Sequence, residues 1–169
     1  MKNLTKFYFI ILFLCGFINS YAQKITDGQT IDINGIKVTF NILNKETIES
    51  GGKTYDRYKV SATARNNSGK SINIRLNSYP QFNSNTGIIE VNCINATGIR
   101  LTSKKIELKL KTHTINANLS TFDKNGKSVN RNFIITAGYY FDDGDTIKND
   151  AIFIIPQGQQ LDVSVRSTF

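Results

Sequence analysis

Tryptophan is absent from this chain, histidine occurs once and cysteine twice, and each scarcity narrows what the protein can do. Without tryptophan, any surface for stacking sugars must come from Tyr55, Tyr58, Tyr79, Tyr139 or Tyr140. One histidine and two cysteines cannot assemble a zinc site of the usual kind within one chain. His113 stands between two threonines, with no nucleophile and orienting acid at a recognisable spacing, and is predicted to be a surface residue. Arginine-rich runs are missing too. The net charge is +8, but lysines and acids alternate along the chain, which is not the layout of a nucleic-acid binder. In an exported protein such a balance suits acidic glycans or a lipid surface better than nucleic acid, and the partner expected is a protein or an anionic envelope polymer.

No window repeats its apolar residues at 3.6-residue spacing, so helices are not expected. Internal repeats, low-complexity tracts and long linkers are also lacking.

What is present begins with an export signal. Lys2 and Lys6 precede an apolar run over 7–17 that is too short to span a bilayer, and Ser20-Tyr21-Ala22 follows. The expected division is a signal peptide over 1–22, cleaved after Ala22, and one domain over 23–169. Cys15 follows Leu14, not the small residue that a lipoprotein signal wants. The expected location is therefore the periplasm, cell surface or medium. Cleavage leaves 147 residues carrying a charge of +6, enough for a single core. Cys93 then has no cysteine to pair with inside the chain, and its parity with Ile89 and Val91 points it inward. The residues from Gln23 to about Gln29 read as a loose arm.

The remainder alternates. Ile36, Val38, Phe40 and Ile42 share one parity, and Asn34-Gly35 before them is the strongest two-residue hairpin signal. Further alternating sets run over 58–65, 72–76, 89–93, 106–110, 133–141 and 161–165, with turn residues in nearly every gap. The apolar run 152–155 reads as a strand buried on both faces. Apolar positions are even-numbered through Leu110 and odd-numbered at Ile115, Ala117 and Leu119, which predicts a bulge or strand boundary near Thr112 to Thr114. The fold expected is all-β: one antiparallel sandwich of eight or nine strands, with a closed barrel as the alternative.

Two groups of side chains draw attention as sites. Asp142, Asp143, Asp145 and Asp150 put four carboxylates within nine residues, a density that suits calcium although the spacing is not that of an EF-hand. Lys105, Lys109 and Lys111 occupy one face of a strand with Glu107, a stripe for an anionic partner or a solvated edge. Tyr140 should point away from Tyr139 and Phe141, toward a partner or over a second buried face with Ile134. Asp145-Thr146-Ile147 matches the short acceptor of some bacterial O-glycosylation.

The stretch over 55–70, an alternating strand ending in Asn66-Asn67-Ser68-Gly69, resembles a recurring segment of bacterial extracytoplasmic immunoglobulin-like domains. The resemblance implies a sandwich and no catalytic residue; the Cys…Trp…Cys core of antibody domains is absent. A non-catalytic interaction module is the leading expectation. A small polysaccharide hydrolase or lyase, and a small-ligand carrier, are the alternatives.

Overall fold

A computed structural model describes residues 22–76 and 86–168. The leader expected over 1–22 and the C-terminal Phe169 thus lie, Ala22 apart, outside the described residues. Among those residues there is no helix and there are eleven strands: β1 (Gln23–Ile25), β2 (Thr30–Ile33), β3 (Ile36–Ser50), β4 (Lys53–Asn66), β5 (Ile72–Arg75), β6 (Gly87–Ile94), β7 (Arg100–Lys109), β8 (Lys111–Phe122), β9 (Ser128–Phe141), β10 (Thr146–Pro156) and β11 (Asp162–Ser167). They form two four-stranded sheets, β1-β11-β6-β7 and β10-β4-β3-β2, and a three-stranded sheet, β5-β9-β8. Every pairing is antiparallel. Among the described residues the sheets keep open edges and no barrel closes.

Alternation builds the core, as the sequence predicts. Val38, Phe40, Val60, Ala62, Phe153 and Ile155 come from one large sheet, and Ile89, Val91, Cys93, Ile106, Leu108, Val163 and Val165 from the other. All are buried in one cluster. Each large apolar side chain so buried contributes about 1.5–3 kcal/mol. Asn34 (φ 54°) and Gly35 (φ 84°) close the β2–β3 hairpin with Ile33 opposite Ile36, the mirror-image turn that Asn-Gly favours.

Three expectations need correction. The residues from Gln23 are not loose: β1 pairs with β11, Ile25 is buried, and Lys24 Nζ lies 2.7 Å from the buried Asp162 carboxylate. A buried acid and a ladder hold what composition alone reads as a tail. The 152–155 run is not buried on both faces. It belongs to β10, an edge strand, and Ile154 is 45% exposed. There are also eleven strands, not eight or nine, because β1 and β2, of three and four residues, are too short to show a period.

Candidate binding surface

The third sheet grows out of the sandwich. Leu110 is buried at the end of β7, and the chain runs straight on into β8. β9 returns antiparallel to β8 and ends in buried Phe141. Asp123 closes the turn between them, accepting the backbone N–H groups of Asn125 (2.8 Å) and Lys127 (2.9 Å). β5 pairs with the base of β9, from Ile72 opposite Phe141 to Arg75 opposite Gly138. Leu76 extends that ladder by donating its N–H to the Ala137 carbonyl at 3.0 Å. Beyond that point the sheet is two strands wide among the described residues, an arm that leaves the body of the protein.

The parity break falls at the foot of this arm. Gly138 pairs with His113, but Thr136 pairs with Thr114, so Ala137 is an extra residue on β9. The bulge exchanges faces. At the base, Tyr139 and Phe141 share a face with Ile72 and Ile74. Past the bulge, Ile135 and Phe133 keep the same parity but lie on the other face, opposite Ile115 and Ala117. Directly opposed residues share a face. One face of the arm therefore carries Ile115 with Ile135, Ala117 with Phe133, Leu119 with Arg131, and Thr121 with Val129. Ile115, Leu119 and Phe133 are each about two-fifths exposed. The reverse face is mostly Thr, Asn and Ser, with Ile134 and Phe122 projecting from it.

Where the apolar face meets the base there is a groove of about 580 Å³. Register arranges it as two rows of three: Asn73, Tyr140 and Lys111, then Arg75, Gly138 and His113. Gly138 is the floor. There β5 closes tightly on β9, and the groove is flanked by Arg75 and His113, with Tyr140 at one end and Ile115 at the other. Lys111 Nζ lies 5.9 Å from the Tyr140 ring centroid and 2.7 Å from Asp145. The hydrogen bond to Asp145 raises the lysine's pKa and lowers that of the carboxyl. Among the described residues Arg75 and His113 have no ion pair.

The foot of the arm is tied down by Asn66, which is fully buried. Its amide donates to the carbonyls of Lys70 (2.8 Å) and Phe141 (2.9 Å), and its side-chain oxygen accepts from the N–H and hydroxyl of Ser68. Its backbone bonds the Asp142–Asp145 turn through Asp145 O and Gly144 N.

Of the predicted site residues, Lys111 and Tyr140 come together at the groove. Lys105 and Lys109 do not join them: Lys105 Nζ is 2.6 Å from both Glu90 and Glu107, and Lys109 is 3.6 Å from Glu107. Arg166 also bonds Glu90. Burial raises the Glu90 pKa, but hydrogen bonds from Lys105 and Asn92 and the charge of Arg166 outweigh it and hold the carboxyl at about 2. The lysine stripe is thus largely neutralised by its own acids. The aspartates do not converge. Asp145 holds Lys111, Asp143 accepts from the Gly69 N–H at 2.9 Å, Asp142 faces the groove and Asp150 lies out along β10, 3.7 Å from Lys148. Among the described residues no group of three His, Cys, Asp or Glu side chains is placed to share an ion. Cys93 is buried, and burial, with Asp162 nearby, pushes its thiol up to about 12. His113 is exposed, so the two do not form a dyad.

Sequence reasoning overlooked Arg75, Gly138 and the arm's free face. A glycine inside a strand pattern was the available signal, because it marks a bulge or a close backbone approach. No protein-family model, curated protein or solved structure matches the chain.

Proposed function

We propose that the chain is an exported, non-catalytic binding module of the bacterial periplasm or cell surface that holds a protein partner on the β8–β9 arm. One observation carries this: a two-stranded ribbon standing off the core with an apolar face that no other described residue covers fully, Ile115, Leu119 and Phe133 staying partly exposed. Isolated two-stranded hairpins are marginal in water, and contiguous exposed apolar surface marks interaction sites. A chain that spends some two dozen residues on such a ribbon gains little stability from it. The leader-like N-terminus supports export.

The test is capture from the source cell's envelope with the full-length chain, tagged at its C-terminus and washed at high salt. Wild type should retain a defined protein that the Ile115→Ser/Phe133→Ser variant loses while Ile134→Ser keeps it. Equal retention by all three proteins, or none by any, would remove the arm from the function.

A further inference from the structure

We infer that the arm's occupant is an extended peptide segment of another protein, with a short apolar centre bounded at each end by a carboxylate. The inference rests on the binding-module reading and adds the partner's chemistry. Its basis is the order of residues along the exposed face. Arg75 and His113 lie on either side of Gly138 at the base. Two apolar rows follow, Ile115 with Ile135 and Ala117 with Phe133. Then Arg131 stands beside Leu119, and Lys124 and Lys127 sit in the turn beyond. Arg75, Arg131, Lys124 and Lys127 have no acidic partner among the described residues.

Cations at both ends of an apolar stretch disfavour a second copy of the chain. Two arms packed face to face, in either direction, would set one cationic end against another. An apolar segment flanked by acids matches every row instead, with Arg75 and Arg131 each able to grip a carboxylate through two N–H groups. The groove's own acid, Asp142, follows the end of β9 on the side of Gly138 away from the apolar rows, so it bounds the complementary stretch. From His113 to Leu119 is six residues of strand, about 20 Å at strand spacing. A peptide lying extended on this face should therefore carry acids six residues apart, with apolar side chains two and four residues after the first.

The probe is a blocked seven-residue peptide with Glu at positions one and seven, Val at three and five and Ser elsewhere, titrated into the isotope-labelled full-length chain. Amide shifts at Gly138, Ile115 and Phe133 report the site. The Glu-ended peptide should bind roughly tenfold tighter than its Gln-ended counterpart and more so than a Lys-ended one. The advantage should shrink as salt rises, and Arg75→Gln or Arg131→Gln should each remove part of it. Equal binding of the Glu- and Lys-ended peptides would overturn the inference, as would equal binding of an all-Ser centre, which means charge alone. Self-association of the chain that buries Phe133 would assign the face to a second copy. Failure of every peptide, with envelope capture still dependent on Ile115 and Phe133, would reject the acid-flanked partner and leave the binding module standing.

Discussion

A Cβ built on Gly138 would stand 2.5 Å from the carbonyl oxygen of Ile74. No positive φ demands glycine there; the close approach of β5 does. Gly138→Ala must push β5 off the base of β9 or shift the bulge. We expect a loss of about 1–3 kcal/mol, read as a lower denaturant midpoint, with new exchange broadening at Ile72 to Arg75.

Asn66 predicts a larger loss. Its side chain makes four hydrogen bonds inside the protein. Asn66→Ala would remove one donor each from the Lys70 and Phe141 carbonyls and the acceptor of Ser68, and the turn that holds Asp145 would loosen. We expect a cost of about 3 kcal/mol or more by chemical denaturation. Exposed Asn67→Ala should change stability by less than about 0.5 kcal/mol.

Acid should destabilise the protein through Glu90. Its folded pKa, about 2, lies below the ordinary value of 4.5. The unfolded chain therefore takes up the proton first as pH falls. The stabilisation is complete above pH 4.5 and is lost as pH drops toward 2. The shift is worth at most about 3 kcal/mol, less after solvent screens the partly exposed Lys105 and Arg166. Glu107 and Asp145 are shifted the same way by Lys105 and Lys111. Denaturation midpoints measured from pH 6 to pH 2 should fall steeply for wild type and less steeply for Glu90→Gln, which should also start lower.

Cys93 should be inert. It is fully buried, and its thiol is held at about 12, so little thiolate forms at neutral pH. A disulfide reagent should leave Cys93 unlabelled in the folded protein and modify it once denaturant unfolds the domain. Rapid labelling of the native protein would mean that β6 opens readily.

Much of this was legible beforehand, for reasons tied to particular residues. Ile36, Val38 and Phe40 alternate because one face of β3 is core, and Asn34-Gly35 announces its turn by the φ values it tolerates. The parity switch after Leu110 betrayed the bulge. It could not show that Ala137, on the other strand, is the extra residue, since the apolar positions of β9 stay odd throughout. Nor could alternation separate a face that meets the core from one that meets solvent: Ile115, Ala117 and Leu119 read like any half-buried strand. Ion pairs were opaque for a different reason. Glu90 reaches Lys105 and Arg166 only because β11, β6 and β7 lie side by side, a proximity that linear distance conceals.

The direct run of β7 into β8 through Leu110 has a mechanical consequence. Tension applied at the arm's tip travels down two continuous chains. One enters the β7–β6 ladder and the other ends at Phe141 beside the β5 ladder. Pulled along their axis, both ladders are loaded in shear, so their hydrogen bonds must break together and not one at a time. Whatever grips the arm is thereby moored to the core of the sandwich.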